Sequence, residues 1–193
     1  MQSQRNLRLK VSLKAMLTAI AFSLSVASQA AEAQSALAVQ TPIAASDATS
    51  DSGLPALSDI TALLRAQFRV TPTESMKIAR AVLIEADRHA ISPILLLAVM
   101  SVESSFDRYA VSIAGARGLM QILPAAHPQL IAGTDLSDPA INVRIGSTIL
   151  RDYLDESGGD LDAALLRYSG GGRGYARRVV LRMQRLDASL RHE

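Results

Sequence analysis

The chain has 193 residues and a formal charge of +2, which suits one domain with extensions. It has no cysteine, so disulfides and thiolate chemistry are excluded, and His89, His127 and His192 are scattered without metal-ligand spacing, so neither a metal site nor a cofactor is expected. Four basic residues (Arg5, Arg8, Lys10, Lys14) lie in the first 33 positions; the remainder carries sixteen basic and seventeen acidic residues, a balance that gives nucleic-acid binding no support.

Residues 1–14 are polar and basic, and Ala15 to Ala27 are apolar and small. Ser28-Gln29-Ala30 and Ala31-Glu32-Ala33 each offer a small-x-small cleavage site. Residues 1–33 therefore read as a secretory signal peptide, and the expected location is periplasmic or secreted. The apolar run falls short of the roughly 20 residues that span a bilayer, so membrane contact is expected only during export. Residues 34–57 are rich in Ala, Ser, Thr and Asp without sustained period, and read as a disordered linker.

The folded part is expected over 58–193. Ser58-Asp59 reads as the cap of a helix carrying Ile60, Leu63, Leu64 and Phe68. Thr71-Pro72-Thr73-Glu74 reads as a capping box with proline at the first helical position, followed by an apolar face of Ile78, Ala79, Val82, Leu83 and Ala86. Ser92-Pro93 repeats that start and opens a run, Ile94 to Val102, that is apolar on every side apart from Ser101. Such a helix belongs inside a domain. A short helix is expected within Ala125–Gly133. Asp138-Pro139 opens the next, with Ile141, Ile145, Ile149 and Tyr153 spaced by four and Gly158-Gly159 as its stop. Asp160 caps Leu161–Tyr168, and Tyr175–Leu190 reads as one more helix, with Val179, Val180, Met183 and Leu186 facing inward. No stretch alternates like a strand. The expected class is all-α, with Leu, Ile, Val, Ala and Met building the core because aromatics are only 4% and tryptophan is absent.

A carboxylate, Glu103, stands at the end of the apolar helix. Desolvation disfavours its ionised form, and a carboxyl with a raised pKa can donate a proton near neutral pH. The alternative is a structural pairing with Arg108 or Arg117. Asp107 follows at i, i+4, but Ser104-Ser105 point to the helix ending first, which makes Asp107 a loop-capping side chain. The arginines from Arg167 to Arg191 read as a solvated face, with an anionic wall polymer or lipid surface as the alternative.

Glu103-Ser104-x-Phe106 followed by Ser112-x-x-Gly115-Ala116-x-Gly118-Leu119-Met120-Gln121-Ile122-x-Pro124 resembles the catalytic core of the soluble lytic transglycosylase family. Leu165-Leu166-Arg167-Tyr168-Ser169-Gly170-Gly171 resembles the family's Ala-Tyr-Asn-x-Gly block. The resemblance covers roughly 90–180. It implies a lysozyme-like fold and non-hydrolytic cleavage of peptidoglycan glycan strands. One glutamate, matched by Glu103, would act as general acid and then base, leaving a 1,6-anhydro muramic acid end. By the same resemblance Ser104 would hold the helix end and cleft wall. Ser112, Gln121 and Tyr168 would face the sugar or the acid, and Tyr175 would line the cleft. Gly115 and Gly118 would let backbone approach the substrate, while Met120 and Leu123 would pack near the acid.

Two departures stand out. Ser169 replaces the family's usual Asn, and the segment between Tyr168 and Tyr175 is short, which suggests an open groove. A hydrolytic muramidase on the same fold, or a wall-opening subunit of a secretion or conjugation machine, are the rival readings.

Overall fold

The computed structural model describes residues 55–191, so the signal peptide, its cleavage sites and nearly all of the linker lie outside the described residues. The described chain forms seven helices: α1 (Leu57–Phe68), α2 (Pro72–His89), α3 (Pro93–Glu103), α4 (Pro128–Ile131), α5 (Pro139–Glu156), α6 (Leu161–Tyr168) and α7 (Tyr175–Arg191). Among the described residues no strand forms; Val111 bridges Arg117, and Arg117 bridges Ile122, as isolated pairs that fold the long loop after α3 on itself.

The apolar run becomes α3, as its composition requires. Leu95 through Met100 are buried on all sides of the helix. Burying a side chain of this size contributes about 1.5–3 kcal/mol, so α3 anchors the domain. It packs against α7 and α2, while α5 packs on α2 and α6, and α1 closes against α2 and α7. A second, smaller cluster of Ile122, Leu136, Ile145 and Ile149 lies between α5 and the long loop.

Two helix starts differ from expectation. The first helix begins at Leu57, ahead of Ser58, because Asp59 acts from inside the helix: its carboxylate accepts the Ala56 N–H at 3.2 Å and the Ser58 hydroxyl at 2.9 Å. At α2 only half the capping box forms. Thr71 Oγ1 accepts the Glu74 N–H at 3.4 Å, but the Glu74 carboxylate turns outward to Lys77 at 3.2 Å and Arg108 at 3.0 Å. Two cations offer charge-assisted bonds that one backbone N–H does not match.

The end of α3 is abrupt. Ser105 and Phe106 both take left-handed backbone (φ 51° and 66°), reversing the chain immediately after the acid. Such conformations cost about 1–3 kcal/mol each and need surrounding packing to hold them. Phe106 supplies it by burying its ring edge-on against Phe68, 4.5 Å between centroids. Asp107 accepts the Tyr109 N–H at 2.9 Å, the loop-capping role expected of it.

Candidate active site

Glu103 is the last residue of α3, half-buried, on the wall of a cleft of about 490 Å³. The cleft runs between the loop over Ser112–Leu123 and the segment from Arg167 to Arg178. Glu103 is the one carboxylate among its described lining residues. Arg108, a suggested structural partner, is instead bonded to Glu74 across the turn at 3.0 Å.

The partner of Glu103 is Tyr175, the first residue of α7 and only 4% exposed, whose hydroxyl donates to Glu103 Oε1 at 2.5 Å. Burial pushes the Glu103 carboxyl above the ordinary carboxylate range; the Tyr175 hydrogen bond and the Arg178 charge pull it down without cancelling that effect. Burial, and then the Glu103 charge, raise the Tyr175 phenol, so it stays protonated and remains a donor. Because Tyr175 occupies Oε1, the carboxyl proton is left to Oε2, which has no partner among the described residues.

Tyr168 also lines the cleft, but its hydroxyl does not reach the acid. It donates to the Met120 carbonyl at 2.9 Å. Burial and the Glu103 charge raise this phenol well above its usual range, so it too stays a donor. Ser104 lines no part of the cleft: its hydroxyl lies 2.8 Å from the Leu119 carbonyl and 3.2 Å from that of Met100, tying the helix end to the loop. Ser112 and Gln121 do line the cleft. Ser112 Oγ accepts the Ala116 N–H at 3.0 Å, and Gln121 Nε2 donates to the carbonyls of Ala110 and Gly118, both at 3.1 Å. These bonds use the amide nitrogen of Gln121 and leave its Oε1 for a ligand.

The sequence reading missed the residue that holds this loop. Asn142 on α5 is 0% exposed. Its Oδ1 accepts the Met120 N–H at 2.8 Å, and its Nδ2 donates to the carbonyls of Arg117 at 3.0 Å and Leu136 at 2.9 Å. The available signal was a polar side chain one turn before Ile145-Gly146 on an apolar face. Gly118 makes room for this amide. A Cβ at Gly118 would lie 2.2 Å from Asn142 Nδ2 and 2.4 Å from the Leu136 carbonyl, and its φ is +76°. Gly146 has the same kind of purpose, since a Cβ there would strike the Met120 sulfur at 2.5 Å.

Ser169 does not face the groove freely. Its hydroxyl donates to the Leu166 carbonyl and accepts the Gly172 N–H, both at 3.0 Å, closing the turn after α6. Beyond it Gly170, Gly171 and Gly174 take positive φ with open space where side chains would stand. The rim between α6 and α7 is thus mostly glycine, with Ser169 and Arg173 as its side chains. His127 sits in a loop that borders the cleft.

A helical domain with a single half-buried acid in a cleft lined by tyrosines and loop residues has the outline of a lysozyme-like fold. The profile of the transglycosylase SLT domain family matches residues 68–189, and the chain belongs to that family. The chain is similar to the transglycosylase of Enterobacteria phage PRD1, with 39% identity over 84 residues, covering 44% of this chain and 31% of the phage protein. It is also similar to the membrane-bound lytic murein transglycosylase C of Haemophilus ducreyi, 42% identical over 83 residues, covering 42% of this chain and 20% of that one. The matches therefore span less than a third of either relative's length. The 70 kDa soluble lytic transglycosylase of Escherichia coli shares the fold, with a TM-score of 0.53 at 17% identity over 70% of this chain and 30% of that one. No described helix is long and apolar enough to cross a membrane.

Proposed function

We propose that the chain is an exported lytic transglycosylase that cleaves the β-1,4 bond between N-acetylmuramic acid and N-acetylglucosamine in peptidoglycan. The observation that carries this reading is Glu103: a carboxyl with a raised pKa, held by one phenol donor, in a cleft whose described lining has no second carboxylate. Two-carboxylate glycosidases need a second acid at the bond, and substrate-assisted cleavage is the recognised exception.

In the first step the proton on Glu103 Oε2 passes to the glycosidic oxygen, the bond from that oxygen to the anomeric carbon breaks, and the sugar's N-acetyl oxygen supports the positive charge. In the second, the ionised carboxylate takes the proton of the same sugar's 6-hydroxyl, and that oxygen closes onto the anomeric carbon. No water is consumed, and Glu103 ends protonated as it began. Tyr175 donates to Oε1 throughout, which stabilises the carboxylate in the interval between its two roles. The wall held by Asn142 and Tyr168 presents Ser112 and Gln121 to the sugar's polar groups.

The test is mass spectrometry of purified wall after digestion by the chain and by Glu103→Gln. Anhydro-muropeptides are expected from the first and none from the second. Reducing ends would instead identify a hydrolytic muramidase, and retained binding without cleavage would favour a wall-opening subunit of a secretion or conjugation machine. Unchanged digestion by Glu103→Gln would remove Glu103 from the mechanism.

A further inference from the structure

Arg178, Arg182 and Arg185 fall at i, i+4 and i+7 on α7 and so project along one face. With Leu181, Val102, Ser101 and Ser105 they line a second depression of about 350 Å³ between α3 and α7. None of the three arginines pairs with a carboxylate among the described residues, although Arg88, Arg108, Arg151, Arg167 and Arg191 all do. The one acid on α7, Asp187, is taken by Arg191. The guanidinium of Arg178 stacks 5.6 Å from the centre of the Tyr175 ring, and that of Arg182 stands 5.9 Å from the centre of the Phe68 ring. Arg178 also donates to the Arg173 carbonyl at 3.4 Å, whereas Arg182 has no hydrogen-bond partner among the described residues.

A second observation points to a ligand. Ser101 is 3% exposed, and its hydroxyl, bordering this depression, has no hydrogen-bond partner among the described residues. A buried polar group left without a partner costs about 1–3 kcal/mol, so a hydroxyl kept there without one has a use for an acceptor. The depression also adjoins the cleft: Val102 and Arg178 line both. Whatever chain leaves the cleft beside Glu103 on this side meets a row of guanidinium groups that no carboxylate among the described residues neutralises, with Arg182 and Arg185 beyond Arg178.

From this we infer that the α3–α7 depression is the subsite for the carboxylates of the stem peptide that hangs from the muramic acid, with Arg182 and Arg185 as its specificity-determining residues. The inference rests on the peptidoglycan reading above and adds the part of the substrate that the sugar cleft does not contact. Guanidinium forks match carboxylates in a way that neither the sugar hydroxyls nor the N-acetyl groups can exploit. Adjacency to the cleft favours an attached peptide over a lipid surface, which would require no proximity to the acid.

The test measures binding by calorimetry in a Glu103→Gln background, so that no turnover occurs. The probes are a disaccharide–peptide fragment with free stem carboxylates and the same fragment with those carboxyls converted to amides. Charge-assisted bonds of this kind set the expectation of about tenfold tighter binding for the free acid. Adding Arg182→Gln and Arg185→Gln should abolish that preference, while Arg182→Lys with Arg185→Lys, which keeps the charge but not the fork, should retain only part of it. Melting temperature checks that each variant is folded. Equal affinity for the two fragments, failure of both to bind, or a preference that survives the Gln pair would overturn the inference. So would loss of co-sedimentation with phosphatidylglycerol vesicles in the Gln pair while the fragment preference stays unchanged, which would assign the row to a membrane surface. Failure of the enzymatic reading shows separately, as absence of anhydro ends from the unsubstituted chain.

Discussion

Gly118 and Asn142 form one device, and a double-mutant cycle should reveal it. Asn142→Ala strips partners from the Met120 N–H and from the Arg117 and Leu136 carbonyls, all gathered at a fully buried amide. Each group left unsatisfied costs about 1–3 kcal/mol, and partial entry of water into the vacated space reduces the sum to about 3–4 kcal/mol. Gly118→Ala puts a methyl 2.2 Å from Asn142 Nδ2 at a φ of +76°. The left-handed backbone alone costs roughly 1–2 kcal/mol, and expelling the amide forfeits the same hydrogen bonds, so this variant should lose about 4–6 kcal/mol. Independent sites would sum to about 7–10 kcal/mol, whereas here the second substitution removes what the first already displaced, so the double variant should lose only about 4–6 kcal/mol. Urea denaturation of the chain and its three variants measures each corner of the cycle. Additivity within about 0.5 kcal/mol, or an Asn142→Ala loss below about 1 kcal/mol, would refute the argument that this amide holds the loop.

Two further outcomes follow from the acid itself. Glu103 has its pKa raised in the folded state, so the native chain holds that proton more tightly than the unfolded one; the stability it contributes is complete below the ordinary carboxylate pKa and is lost as pH rises through the folded value. Glu103→Gln should therefore melt higher than the unsubstituted chain at pH 7, by about 1.4 kcal/mol for each unit of the shift, and the gap should close in acid; an equal or lower melting temperature at pH 7 counts against a desolvated carboxyl. Tyr175→Phe removes a bond that favours the ionised carboxylate, so the alkaline limb of the rate profile, where the general acid loses its proton, should move to higher pH as the maximal rate falls about tenfold or more. A limb that moves down, or stays in place, would show that Tyr175 does not govern Glu103.

Much of this architecture could be read from residue order, and the reasons are local. The apolar run with Pro93 at its head and Glu103 at its foot left α3 no alternative to burial, and Asp138-Pro139 and Asp160 mark their helix starts with side chains that do accept the capping N–H groups. Cleft positions such as Ser112, Gln121, Tyr168 and Tyr175 were legible through the motif, which carries spacing from chains that share the fold. What stayed hidden was direction. Nothing local tells that Tyr168 addresses the Met120 carbonyl, that Ser104 turns toward Leu119, or that Gly118 makes room for a side chain twenty-four residues further on. Those are tertiary meetings, set by which groups are left needing partners once the helices have packed. Glu85 is another: 5% exposed on the apolar face of α2, it is held by Arg88 at 3.0 Å and His89 at 3.4 Å, which periodicity alone reads as a core break.

The loop that walls the cleft is gripped from two sides at one residue, with α5 holding the N–H of Met120 and α6 its carbonyl. Backbone atoms are common to every residue type, so the grip is indifferent to the side chains that face outward from Ser112 to Ala116. Sequence drift along that stretch would alter what the rim touches while its position endures. Substrate preference in such a domain is free to diverge at the lip, and the scaffold that aims the acid need not follow.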